Sequence, residues 1–179
     1  MDTVTVGEAL FSVNFCYIVT YTSVLYTFSF LNSTAKIQAG LIKPAQKTVL
    51  TEANLDSYLR VVVRDQPQHI IGLGIYTGKD QEAIRIETTA KNQFRNMTIE
   101  STAAIEEIIE QSSFLTPITG TKITTSMGNS WCNLISWKIM RIIKDGSLKS
   151  QFTFLHIPKT FPQSQAIMLI NQMIETAQI

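Results

Sequence analysis

The chain has 179 residues, of which 45% are hydrophobic and 16% charged, and its net charge is +1 at pH 7. This length fits one domain that buries a sizeable core without disulfide or metal staples. The near-neutral charge, with no basic run and no acidic tail, gives no electrostatic case for nucleic acid or an anionic membrane as a partner. The two cysteines, Cys16 and Cys132, form neither a disulfide framework nor a metal-ligand pattern, and this usage predicts a reducing, cytoplasmic compartment.

The first feature along the chain is an uncharged stretch at residues 9–31, long enough to raise the question of a membrane span. Serine, threonine and asparagine interrupt it, and β-branched and aromatic residues are frequent. Asp2 and Glu8 precede it, whereas a signal peptide starts with positive charge. We therefore expect two buried or paired strands, the second over 23–31, and a membrane or targeting segment stays the alternative.

The rest of the chain alternates between strand and helix patterns. A helix is expected from the N-cap Thr51 to residues 65–67, and a buried parallel strand over 69–74. Further strands are predicted over 83–90, 122–126 and 151–157, and helices over 101–111, 131–143 and 165–177.

This alternation predicts the α/β class, as a three-layer α/β/α sandwich with a mostly parallel, twisted central sheet of the phosphorylase/hydrolase-like kind. Binding sites in such sheets lie at the carboxyl ends of strands, here near Gly74, Ser126 and Ile157. Cys132 is expected just after one of these ends, in the first turn of the following helix.

A cysteine in that position faces free backbone N–H groups and the positive end of the helix dipole, which lower the pKa of the thiol and favour the thiolate. The same N–H groups can stabilise an oxyanion. His156 is the candidate general base and acid. Glu87 is the candidate carboxylate that orients the imidazole. Together they would form a Cys-His-Glu triad.

Each candidate also has a structural alternative. Cys132 can be a small buried hydrophobe, His156 a hydrogen-bonded core histidine, and Glu87 a strand acid that faces solvent. His69, the other histidine, is predicted to be structural. The glycine-rich run at 72–78 has the wrong spacing for a dinucleotide-binding loop and leads into a strand, so nucleotide binding is not expected.

Three motifs occur in order: GLG at 72–74 followed by IRIETTAKN at 84–92, SMGNSWCN at 126–133, and HIP 24 positions after the cysteine, at 156–158. They resemble the I-x-[VI]-E-R-x-A-x-N, S-x-G-x-x-x-C-N and H-[IV]-P motifs of the pyroglutamyl peptidase I family, also called pyrrolidone-carboxylate peptidases. These are cytosolic cysteine peptidases that remove an N-terminal pyroglutamate. The resemblance covers residues 23–179, and residues 1–22 are interpreted as an N-terminal extension packed on this single domain.

The resemblance implies a role for each matched residue. Cys132 would be the nucleophile, His156 the general base and acid, and Glu87 the orienting carboxylate, with no metal or cofactor. The partners implied are peptides that begin with pyroglutamate. A homo-oligomer is possible because the family often forms dimers or tetramers.

The substrate pocket departs further from the family than the triad does. The family's G-F-x-P-F turn is absent, and we expect Phe28 and Phe30 to substitute for its aromatic rings. Gly74 and Gly128 are placed in the pocket by their motifs. The segment between acid and cysteine is shorter and lacks the A-R-I-P-D-N loop, so Arg95 is the candidate for that loop's arginine.

These departures leave two other functions open. One is a related thiol amidohydrolase with a different specificity. The other is a catalytically degenerate homologue that acts as a binding protein.

Overall fold

The computed structural model describes residues 16–21, 46–50 and 53–177, and it describes side chains from residue 53 onwards. The strands are β1 (Cys16–Tyr21), β2 (Gln46–Leu50), β3 (His69–Tyr76), β4 (Ile84–Glu87), β5 (Thr89–Lys91), β6 (Ile108–Glu110), β7 (Thr121–Thr124) and β8 (Gln151–Pro158). The helices are α1 (Leu55–Asp65), α2 (Trp131–Lys144) and α3 (Gln163–Thr176). The expected strand at 23–31 lies outside the described residues. Thr51 also lies outside them, but the prediction that it is the N-cap is wrong, because α1 begins at Leu55 with Asn54 as its N-cap.

Six strands form one mixed sheet in the order β2-β1-β3-β8-β4-β7. The pairs β3–β8 and β4–β7 are parallel, whereas β1 is antiparallel to both β2 and β3, and β4 is antiparallel to β8. Strands β5 and β6 form a separate antiparallel pair. The parallel register of β3 and β8 sets Gly74 beside His156, so the carboxyl ends of these two strands meet at one edge of the sheet.

The sheet separates two apolar clusters, which gives the three predicted layers. Ile70, Phe152 and Phe154 pack with the buried sides of α1 and α2. Alternate residues of the same strands, such as Ile71 and Leu155, pack with α3 on the other face. The prediction of an α/β sandwich is therefore confirmed.

Helix α2 begins and ends within a residue of the predicted 131–143, because its apolar positions recur at helical spacing. The prediction of a helix over 101–111 is wrong: turns lead into β6, in which Ile109 is buried and Ile108 is 46% exposed. The cause is a contact with a side chain that lies outside this segment. The Asn92 side chain accepts from the backbone N–H of Glu100 and donates to the carbonyls of three residues of this segment, which are Glu100, Ala103 and Ala104.

The predicted strand over 83–90 is divided at Thr88. Residues up to Glu87 pair in the main sheet as β4, and Thr89 begins β5, which pairs with β6. Among the described residues, no helix combines the length and the apolar character that a membrane crossing requires.

Candidate active site

Cys132 is the second residue of α2, at the end of the helix that meets the edge formed by β3 and β8. The N-cap Ser130 is extended and makes no side-chain capping bond, so the first backbone N–H groups of α2 are not capped by that hydroxyl. The thiol lies directly over the backbone of β3: a Cβ atom added to Gly74 would lie 2.7 Å from Cys132 Sγ. Gly74 therefore provides the space that the half-buried sulfur occupies.

His156 lies on β8 as the register partner of Gly74, so its imidazole and the thiol are on the same face of the sheet. The ring is buried and packs edge-on against Phe154, with 5.0 Å between ring centroids. The Tyr76 ring lies 6.0 Å away, centroid to centroid. These aromatic neighbours restrict the orientation of the imidazole.

Glu87 is the last residue of β4 and only 4% exposed, so the alternative of a solvent-facing strand acid is wrong. Its Oε1 lies 2.8 Å from His156 Nδ1, and its Oε2 accepts a hydrogen bond of 2.6 Å from Thr124 Oγ1 on β7. Both carboxylate oxygens are thus occupied. With Nδ1 engaged by Glu87, the Nε2 atom of His156 is the one left to face the thiol.

The pKa of His156 results from opposing effects. Burial alone would lower the pKa of His156, because an apolar environment disfavours the imidazolium. Hydrogen bonds with Cys132 and Glu87, together with the negative charges of these two groups, reverse the effect and raise the pKa to about 9. The contacts with Cys132 and Glu87 therefore favour the imidazolium form of His156 at neutral pH.

Two buried asparagines fix the segment after β4, and no role was predicted for either: Asn133 holds it against α2, and Asn92 holds it against the 100–104 segment. Asn133 accepts a bond of 2.8 Å from the Lys91 N–H and donates to the carbonyls of Lys91 and Gln93. Asn92 bonds the 100–104 segment as described above. Both belong to the matched motifs, as the last residue of SMGNSWCN and of IRIETTAKN, and that position is the signal that could have identified them.

The other predicted site residues have different outcomes. Gly128 lies in the exposed loop before α2 with a φ of +81°. The backbone N–H of Arg95 donates to the Asn129 carbonyl at 2.7 Å, which places this exposed residue beside the same loop. Phe28 and Phe30 lie outside the described residues. A substrate contact by any of these four stays a prediction.

Histidine 69 lies at the start of β3, at the other end of the strand from Gly74. It is buried against Phe114, with ring centroids 4.9 Å apart, and burial lowers the pKa of His69 while a hydrogen bond with Gln151 opposes this effect. Within the described residues, no group of three His, Cys, Asp or Glu side chains is placed to hold a metal ion.

No protein-family model matches the sequence, and no curated protein matches it significantly. The fold, by contrast, is similar to solved structures. One is a pyrrolidone carboxyl peptidase from Thermococcus litoralis, 16% identical with a TM-score of 0.55, covering 69% of this chain and 71% of that one. A second is pyroglutamyl peptidase I from Bacillus amyloliquefaciens, 17% identical with a TM-score of 0.54, covering 72% of each chain.

A third is a mutant pyrrolidone carboxyl peptidase from Pyrococcus furiosus, 16% identical with a TM-score of 0.55 over 72% of this chain and 77% of that one. At these identities the likeness concerns the fold. The chain has the fold of the pyrrolidone carboxyl peptidases, which agrees with the resemblance that its motifs predict.

Proposed function

We propose that this chain, which has the fold of pyrrolidone carboxyl peptidases, is a cysteine peptidase that releases pyroglutamate from the N-terminus of peptides. The observation that carries the proposal is the line of contacts from Cys132 through His156 to Glu87, at the carboxyl ends of β3 and β8. A thiol at a helix N-terminus, hydrogen-bonded to an imidazole that a buried carboxylate orients, is the arrangement that activates a sulfur nucleophile.

The proposed reaction has two halves. The Cys132 thiolate attacks the carbonyl carbon of the scissile amide, while N–H groups at the start of α2 stabilise the oxyanion. The C–N bond breaks as the His156 imidazolium gives its proton to the leaving amine, which leaves a thioester. Water then attacks the thioester, His156 accepts the water proton, and the sulfur leaves again as the thiolate.

The substrate class comes from the names of the solved neighbours, pyrrolidone carboxyl peptidase and pyroglutamyl peptidase I. In this proposal the lactam ring is held by aromatic side chains, with Phe28 and Phe30 as the candidates, and by backbone groups near Gly74 and Gly128. Arg95 is the candidate for a polar contact from the loop beside α2.

The test is the hydrolysis of a fluorogenic pyroglutamyl amide under reducing conditions. We expect turnover by the wild type and none by Cys132→Ala. Cys16→Ala is the matched control because it removes the other cysteine of the chain, and we expect it to retain activity. Circular dichroism and the unfolding midpoint verify that each variant is folded.

Other outcomes decide between the alternatives. If a folded wild type cleaves other aminoacyl amides in preference to the pyroglutamyl amide, the chain is a related thiol amidohydrolase with altered specificity. If it cleaves none of them and Cys132 reacts with iodoacetamide as an ordinary thiol with a pKa near 8.5 does, the peptidase proposal is wrong. A binding role then becomes the better account.

A further inference from the structure

The feature beside the candidate triad that the proposed mechanism does not use is a stacked cation on β4. Arg85 is the register partner of His156 in the antiparallel pair of β4 and β8, so the two side chains emerge on the same face of the sheet. The Arg85 guanidinium carbon lies 3.6 Å from the centroid of the Tyr76 ring. That ring in turn is a neighbour of the His156 imidazole.

The position of this cation is defined by the surrounding chain. The Tyr76 ring has room in this position because Gly78 has no Cβ atom; a Cβ atom there would collide with the tyrosine hydroxyl. Gln81 donates to the carbonyls of Tyr76 and Gly78 and thereby closes the turn after β3. The Arg85 guanidinium is thus held in one position by stacking on the Tyr76 ring, whereas the side chain of a surface arginine is free to adopt several positions in solvent.

The charge of Arg85 is only partly compensated. The side chain is 12% exposed, and its ion pair with Asp80 is long, with Nη2 and Oδ2 separated by 3.4 Å. Asp80 also pairs with Lys122, so one carboxylate serves two cations. Among the described residues, no acceptor bonds the buried Arg85 Nε. Burying a cation with so few charged partners costs free energy, and a further anion bound beside Arg85 would reduce that cost.

The proposed function, on which this inference rests, determines which part of the substrate lies near Arg85. His156 delivers its proton to the leaving amine, so the residue after the scissile bond leaves beside His156. Arg85 is the cross-strand neighbour of His156, near the carboxyl end of β8, whereas Glu87 pairs with Phe154, two residues earlier on that strand. A carboxylate carried by the leaving residue is therefore the anion that is brought closest to the guanidinium.

We propose that Arg85, held on the Tyr76 ring beside His156, is a specificity-determining residue that binds a carboxylate of the residue after the scissile bond. This carboxylate has two sources, which share the same chemistry. It is the C-terminal carboxylate when the substrate is a dipeptide, or the side chain of an aspartate or glutamate when the peptide is longer.

The experiment compares pairs of substrates that differ in this carboxylate alone. Pyroglutamyl-alanine is compared with its C-terminal amide, and pyroglutamyl-glutamate amide with pyroglutamyl-glutamine amide. The readout is the ratio of kcat/KM within each pair. We expect the wild type to prefer the carboxylate in at least one pair, and Arg85→Gln to reduce that ratio about tenfold, the size expected for a charged hydrogen bond.

Two further variants make the result specific. Asp80→Asn removes the competing carboxylate and is expected to raise the ratio. Lys149→Gln removes an exposed positive charge near the start of β8, at the other end of the strand, and is expected to leave the ratio unchanged. Arg85→Lys keeps the charge without the planar stacking group, so it should restore part of the preference that Arg85→Gln loses.

The substrate pair whose kcat/KM ratio changes in Arg85→Gln identifies the source of the carboxylate. Ratios in both pairs that are equal in the wild type and in Arg85→Gln overturn the inference.

A second readout needs no peptide turnover, so it separates this inference from the proposed function. The rate at which iodoacetate, an anion, alkylates Cys132 is divided by the rate for the neutral iodoacetamide. We expect this quotient to fall severalfold in Arg85→Gln and to stay unchanged in Lys149→Gln. A wild type without peptidase activity that still shows this difference contradicts the proposed function alone, whereas an unchanged quotient in Arg85→Gln contradicts the role of Arg85.

Discussion

At the scale of single residues, the candidate site depends on one buried carboxylate, Glu87, whose two oxygens both have hydrogen-bond partners. Glu87 contacts His156 through one oxygen and Thr124 through the other, and it is removed from solvent. An ionised carboxylate in such a place requires partners for both oxygens, because an unpaired buried charge is expensive. Thr124 therefore acts as a positioning residue for Glu87, although it touches neither the imidazole nor the thiol in any described contact.

We predict that Thr124→Val lowers kcat/KM about tenfold, since the nearly isosteric change removes one hydrogen bond to a charged group. With that bond lost, the Glu87 carboxylate is less well held against Nδ1, so the pH profile of Cys132 alkylation should shift as well. The measurement is kcat/KM together with the rate of iodoacetamide reaction across pH.

Thr125→Val is the matched control for this prediction, because the neighbouring threonine is exposed and makes no described side-chain contact with Glu87. A purely structural Thr124 would lower the unfolding free energy and leave the alkylation profile in place, and that outcome would contradict its role in positioning.

At the scale of secondary-structure elements, the N-terminus of α2 is attached to the end of β5 by a side-chain amide. Asn133 follows Cys132 directly, and its amide makes three hydrogen bonds with the backbone of Lys91 and Gln93. Asn92, which lies between Lys91 and Gln93, holds the 100–104 segment by hydrogen bonds from its own side-chain amide. The two amides thus join the start of α2, the end of β5 and the 100–104 segment, and the first turn of α2 is held against β5.

We predict that Asn133→Ala lowers the free energy of unfolding by about 3 kcal/mol, because it leaves one backbone donor and two acceptors without their partner. It should also lower the reactivity of Cys132, since the helix start is no longer held over Gly74. Urea unfolding and iodoacetamide kinetics measure the two effects.

Asn171→Ala is the control within α3. Its Oδ1 bonds nothing among the described residues, and alanine favours a helix interior, so little loss of stability is expected. Equal losses in the two variants would mean that the Asn133 hydrogen bonds contribute nothing specific.

At the scale of the whole molecule, the contacts of His156 with Cys132 and Glu87 couple the stability of the fold to pH. The folded-state pKa of His156 is about 9, above the value of 6.5 for the unfolded chain. Between these values the imidazole of the folded protein holds a proton that the imidazole of the unfolded chain has released. The stabilisation contributed by His156 is therefore fully present below pH 6.5 and is lost as pH rises through about 9.

We predict that the stability difference between the wild type and His156→Gln is larger at pH 7 than at pH 10, by about 0.5 kcal/mol, because the Cys132 thiol releases on folding much of the proton that the imidazole binds. Taking the difference between the two proteins cancels the lysines and tyrosines that also titrate in this range. Urea unfolding at the two pH values provides the four free energies. A difference that is larger at pH 10 than at pH 7 would contradict the preferential protonation of His156 in the folded state.

Short-range patterns were sufficient to predict much of this molecule. The apolar positions of α2 recur at helical spacing, and the apolar run of β8 ends at a proline, so both elements could be located from neighbouring residues. The same patterns predicted that Cys132 begins a helix and that His156 ends a buried strand. The residue types of the candidate triad, together with their order in the chain, then indicated thiol chemistry.

Only the tertiary structure decided which groups meet. Residues 101–110 do not form a helix because the Asn92 side chain binds the carbonyls of Glu100, Ala103 and Ala104, and no pattern within that segment carries this information. The burial of Glu87 and the register of Arg85 with His156 depend on pairing between strands about 70 positions apart in the chain. Local propensity concerns contacts along the chain, whereas a site of this kind is assembled from contacts across the sheet.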